Sequence, residues 1–177
     1  MSKAFTRESD DAPEAPRPPR PLAVLPPGAK NYLTPDGAER MRRELERLWQ
    51  VVRPPLAATA ATGDEDARRQ LRALDQRIEQ AERSLSTAVV VPPPVAAHEL
   101  ERVKFGAIVT VRERGGEVLS YRIVGADETD LDRGWVSWLS PIARALMNAR
   151  AGERVRFKFP AGEEELEIVS VAYEAGA

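Results

Sequence analysis

Three carboxylates stand in a row in this 177-residue chain, Asp64, Glu65 and Asp66, directly after a glycine, Gly63. Hard oxygen donors of this kind can take part in a metal site. The same residues also have a purely structural use. Glycine closes a helix at its C′ position, and aspartate caps the next helix. Acids in a first turn meet the positive end of the helix dipole. Capping accounts fully for Gly63 and Asp64 but does not need Glu65 and Asp66, and on residue types alone it outweighs a metal site. Other chemistry is sparse. The chain has one histidine, His98, and a lone exposed histidine is rarely catalytic. It carries no glycine-rich phosphate loop, HExxH or GxSxG pattern. Without cysteine it can form neither disulfides nor thiolate metal sites, which fits a reducing cytoplasm.

The acidic turn lies between two periodic segments. Apolar residues fall at Ala38, Met41, Leu45, Leu48 and Val52, then again at Ala67, Leu71, Leu74, Ile78, Ala81, Leu85 and Ala88. Alternating steps of three and four keep one narrow apolar seam on each helix, the pattern of a coiled coil. Residues 32–90 therefore read as an antiparallel α-helical coiled-coil hairpin, a rod with the three carboxylates at its far end. Thr34 is placed to cap the first helix and Pro35 to occupy its first turn. Pro54-Pro55 should bend that helix, and we expect a kinked continuation through Thr62. The hairpin carries ten basic and ten acidic residues, so it has no net electrostatic pull. Arg68, Arg69, Arg72, Arg77 and Arg83 read first as a solvated face.

Either side of the rod the composition changes. Residues 1–31 hold seven of the fifteen prolines and read as a disordered tail, with Leu22, Val24 and Leu25 its only cluster of large apolar side chains. Residues 91–100, opening on Pro92-Pro93-Pro94, read as a stiff linker. From residue 101 to 177 the period becomes two. Strands are expected at 107–111, 118–124, 134–138, 154–159 and 165–173, with turns at Arg114-Gly115-Gly116-Glu117 and Ala161-Gly162. A short helix capped by Ser140, with Pro141 in its first turn, runs to Met147. The fold class is α+β. Of Trp135 and Trp138, one is expected in the core and the other near the surface. A net charge of −2 argues against bulk attraction to nucleic acid. No apolar run approaches the ~20 residues that span a bilayer. We expect a cytoplasmic protein with no membrane segment.

Several runs together resemble the bacterial Gre transcript-cleavage factors, nearest the GreB type. They are Phe105-Gly106-Ala107, Tyr121-Arg122-Ile123-Val124-Gly125, Asp127-Glu128 and Ser140-Pro141-Ile142-Ala143-Arg144-Ala145-Leu146, all following the hairpin. The resemblance covers residues 32–173 and implies an FKBP-like C-terminal domain. It further implies an accessory factor, not an enzyme, with bacterial RNA polymerase as partner. The C-terminal domain would dock on the largest subunit, at the rim of the secondary channel, through Asp127, Glu128, Ser140, Pro141, Ile142 and Arg144. The hairpin would enter the channel as a monomeric arm. Asp64, Glu65 and Asp66 would there assist the polymerase catalytically near the nascent RNA 3′ end. No cofactor of its own is implied, only a Mg²⁺ shared with polymerase through Asp64 and Asp66. Two departures stand out. The family tip reads Gly-Asp-x-x-Glu-Asn, whereas the third residue after Asp64 is Ala67. The arm is also about ten residues short, about five per helix, or ~7 Å of reach at ~1.5 Å per residue. An alternative on the same scaffold is a regulator that occupies the channel without stimulating cleavage. An FKBP-like prolyl isomerase, or a coiled-coil adaptor pairing its helices between chains, are readings from other classes.

Overall fold

The computed structural model describes residues 25–159 and 162–174. Leu22, Val24 and most of the expected tail lie outside that range, as does Ala161. The expected tail nevertheless runs too far. Asn31 is buried and opens a short strand, β1 (Asn31–Leu33), which pairs in parallel with β2 (Ala88–Val90). Three-residue strands carry too little periodicity to be read from sequence.

Thr34 then caps α1 (Pro35–Arg47), its hydroxyl accepting from the Gly37 N–H at 3.0 Å. The helix does not stop at the prolines. A π-helical turn at Leu48–Val52 leads straight into α2 (Arg53–Ala61), the Arg53 N–H donating to the Leu48 carbonyl five residues back. Pro54 and Pro55 have no N–H, and their rings would strike the carbonyls four residues earlier in a regular helix. A wider turn just ahead relieves that conflict. After Gly63, at φ +98°, Asp64 caps α3 (Glu65–Thr87).

α3 packs back along α1 and α2, and every seam position is buried or half-buried. Leu48, Leu74 and Ile78 form the centre of this small core, flanked by Leu45, Val52 and Leu56. Polar ties cross the seam as well. Arg77 donates to Glu44 at 2.8 Å, Arg53 to Asp75 at 2.7 Å, and the Trp49 indole to Glu82 at 3.0 Å. The helices thus pair within one chain.

Beyond β2 the linker contains a four-residue helix, α4 (Ala97–Leu100), with His98 exposed on it. The sheet follows: β3 (Ile108–Glu113), β4 (Val118–Val124), β5 (Trp135–Ser137), β6 (Arg154–Phe159) and β7 (Gly162–Ala172), with α5 (Pro141–Leu146) between β5 and β6. Their spatial order is β5-β4-β3-β7-β6, antiparallel except for the parallel β4–β5 pair. A bulge at Val169 shifts the β3–β7 register between Thr110 and Val111. Val109, Val111, Ile123, Leu166 and Ile168 fill one face, and α5 adds Ala143 and Leu146. The architecture is α+β: a helical arm and a curled mixed sheet, each with its own apolar centre.

Candidate functional site

At the end of the arm, the turn from Ala61 to Asp66 is exposed throughout. Asp64 uses one carboxylate oxygen to accept from the Asp66 and Ala67 amides, both at 2.9 Å. Glu65 pairs with Arg68, and Asp66 with Arg69, inside the first turn of α3. The Arg68 Nε also donates to the Ala60 carbonyl at 3.2 Å, which closes the turn across the two helices. Ala67 faces inward, only 5% exposed. Among the described residues no cluster of three or more acids, histidines or cysteines is arranged to hold a metal ion by itself. The three sequence-identified carboxylates are thus together at the tip, each already serving the turn.

The expected docking residues divide. Ser140 caps α5, accepting from the Ala143 N–H at 3.2 Å; Pro141 and Arg144 are exposed beside it, while Ile142 packs against the sheet core. Glu128 belongs elsewhere. Its side chain is 2% exposed, because it reaches into the joint between arm and sheet and not out to solvent. Oε2 accepts from the Thr34 amide at 2.8 Å and the Gly125 amide at 3.0 Å, and Oε1 accepts from the Thr34 hydroxyl. Arg40 reaches Oε1 at 3.5 Å. Asp127, half-buried, accepts from the Ser84 hydroxyl of α3. Ser84 in turn receives two bonds from the Asn31 amide, each 3.0 Å.

Aromatic contacts complete the joint. Tyr32 of β1 meets Trp138 edge-on at 5.0 Å and Phe105 at 5.8 Å. Trp135 lies under three guanidinium groups, Arg40, Arg122 and Arg133, at 4.7, 4.9 and 4.2 Å. Burial lowers the Arg40 pKa, Glu128 opposes that shift, and Arg122 and Arg133 add to it. Trp135 and Trp138 are both half-buried, so neither lies wholly in the core and neither stands free at the surface, unlike the division expected from the sequence. Thr34, Ser84, Tyr32 and Trp138 were not singled out together from the sequence. Thr34 and Glu128 are 94 positions apart, and no local pattern links them.

A family model described as the C-terminal part of the transcription elongation factors GreA/GreB matches residues 97–173, from α4 to just past β7. The transcription elongation factor GreB of Xanthomonas axonopodis pv. citri is 41% identical, covering 84% of this chain and 95% of its own. The chain belongs to the GreA/GreB family of transcription elongation factors. A GreA from Alkalilimnicola ehrlichii is also 41% identical, over 82% of this chain and 99% of that protein. Among solved structures, the GreA factor homolog Gfh1 of Thermus thermophilus covers 81% of this chain and 99% of its own, at 25% identity and a TM-score of 0.38. In this Gre-family chain both the acidic tip and the N-terminal end of α5 are exposed, with Asp64, Glu65, Asp66, Pro141 and Arg144 at the surface. Among the described residues no helix is long and apolar enough to cross a membrane.

Proposed function

We propose that this protein binds RNA polymerase and regulates elongation from the secondary channel, as an accessory factor without chemistry of its own. The sheet domain docks on the largest subunit at the channel rim through the exposed end of α5, with Ser140, Pro141 and Arg144. The arm carries Asp64, Glu65 and Asp66 toward the polymerase's catalytic magnesium. One observation carries this reading: an exposed acidic turn at the end of a helical arm about 40 Å long, at ~1.5 Å per residue over Pro35–Ala61.

Magnitudes bear on what the tip does there. The Glu65–Arg68 and Asp66–Arg69 pairs are exposed, and such pairs contribute only about 0–1 kcal/mol. They would yield readily to a divalent cation. Reach is the harder limit. The aligned stretch with the Xanthomonas protein is 162 positions long but covers 84% of these 177 residues, about 149, so about a dozen positions have no counterpart here. If about ten of them fall in the arm, as the sequence suggests, the reach is shorter by ~7 Å. A Mg²⁺–oxygen bond is about 2.0–2.1 Å long and tolerates little error. Ala67 also stands buried where the family tip carries glutamate. These observations favour channel occupancy over stimulated cleavage, with Mg²⁺ shared only transiently, if docking brings the tip closer.

The test uses core polymerase and a backtracked elongation complex. Pull-down of polymerase should succeed with the parent and fail with Pro141→Arg. The parent should slow nucleotide addition without releasing a short 3′ RNA fragment, and Asp64→Ala should leave that slowing in place. Release of a 3′ fragment by the parent, lost in Asp64→Ala, would instead establish stimulated cleavage. Failure of the parent to retain polymerase at all would overturn the proposal.

A further inference from the structure

The acids at 127 and 128 are neighbours in sequence, yet each holds a different helix of the arm. Glu128 takes the start of α1 through the amide and hydroxyl of Thr34. Asp127 takes the last turns of α3 through Ser84, which Asn31 of β1 also grips. One short turn, Ala126–Glu128, thereby holds both helices at the base of the hairpin. We infer that this turn is a two-point clamp that sets the direction of the arm, with Glu128 and Asp127 as positioning residues for the distant tip.

Two glycines support that assignment. A Cβ on Gly37 would stand 1.8 Å from the Glu128 Oε1, inside its van der Waals envelope. A Cβ on Gly125 would stand 2.1 Å from the Tyr32 carbonyl and 2.9 Å from the Glu128 Oε2. Neither glycine has a positive φ, so turn geometry does not require either one. Alanine would favour the helix at position 37. Glycine there gives up helix propensity and leaves room for the buried carboxylate. On an arm of about 40 Å, a tilt of about 10° at the base moves the tip by about 7 Å, as much as the whole expected shortening.

The chain has no cysteine, so two introduced ones can be labelled uniquely. Ala61→Cys lies near the tip and Val118→Cys at the start of β4, both exposed. Nitroxide distances between them in the full chain should give one narrow peak for the parent. Gly37→Ala and Glu128→Ala should each move that peak by several ångströms or broaden it, with far-UV helicity retained, while Thr34→Ser keeps the parent's peak. A parent-like peak in either Gly37→Ala or Glu128→Ala overturns the clamp. So does loss of helicity in Gly37→Ala, because the wedge would then act within the helix and not at the joint. The consequence for the tip rests on the function proposed above, but the distances need no polymerase. A failed pull-down would leave the clamp standing, and an unmoved peak would leave the docking proposal standing.

Discussion

Ile78→Ala tests whether the arm is a lever with its own stability. Ile78 is 2% exposed and forms the arm's buried centre with only Leu48 and Leu74. Truncating a buried isoleucine to alanine costs about 2–5 kcal/mol, least where neighbours can close the cavity. Leu45, Val52 and Leu56 are half-buried around this site and can shift inward, which places the cost near 3 kcal/mol. At ~1.4 kcal/mol per tenfold, local opening should rise about 100-fold. Amide hydrogen exchange on the intact protein reads this residue by residue. Protection across α3 should fall by about that factor, while amides in β3 and β4 keep theirs, because the sheet's apolar centre is a separate cluster. If β3 and β4 lose protection by the same factor, arm and sheet open as one unit. The arm would then not be an independent element, and the reasoning from separate cores would fail.

Three further outcomes are accessible to simple measurements. Tyr173 donates its hydroxyl to the Arg102 carbonyl and accepts from the Lys104 amide at 2.9 Å, so Tyr173→Phe should cost about 1–3 kcal/mol in urea denaturation. Burial raises the Tyr173 pKa, which favours the neutral form in the fold; its contribution is full below about pH 10 and lost as pH rises through the folded value. The hydrogen bond from Arg47, ahead of the other effects, holds the Glu44 carboxyl below the usual glutamate range. Glu44 therefore stabilises the arm above about pH 4.5 and loses that effect on acidification, and Glu44→Gln should flatten the acid limb by only about 0.5 kcal/mol because the pair is partly exposed. Gly63→Ala should cost about 1 kcal/mol in thermal unfolding of the arm, since φ is +98° and no neighbouring atom lies close enough to clash.

The elements that could be read from sequence are those whose cause is local. The seam from Ala38 to Ala88, the caps at Thr34, Asp64 and Ser140, and all five sheet strands rest on periodicities of a few residues. Even the helix through Pro54-Pro55 was legible, although the π-helical turn that permits it was not. The tip carboxylates were found where the spacing put them. The joint was hidden for a physical reason: Glu128 binds Thr34, Asp127 binds Ser84, and Tyr32 meets Trp138, pairs separated by 94, 43 and 106 positions. Residue type misled at Glu128, because an acid in a loop is usually solvated. This one is buried against the amides of Thr34 and Gly125.

That burial decides whether Glu128 can also serve as a docking residue. Turning its carboxylate outward would strip partners from the Thr34 amide, the Thr34 hydroxyl and the Gly125 amide. Each buried group left unsatisfied costs about 1–3 kcal/mol, so exposure would cost several. A charged contact at the rim of an interface returns about 0–1 kcal/mol. The joint wins by a wide margin, so the docking proposed above falls to residues already at the surface, such as Pro141 and Arg144. Docking and arm direction are therefore separable. Glu128→Ala should keep polymerase in a pull-down within about threefold of the parent while changing the slowing of nucleotide addition, which depends on where the arm points. Loss of polymerase binding in Glu128→Ala, with the sheet domain still folded by near-UV circular dichroism, would mean that the carboxylate reaches the partner after all.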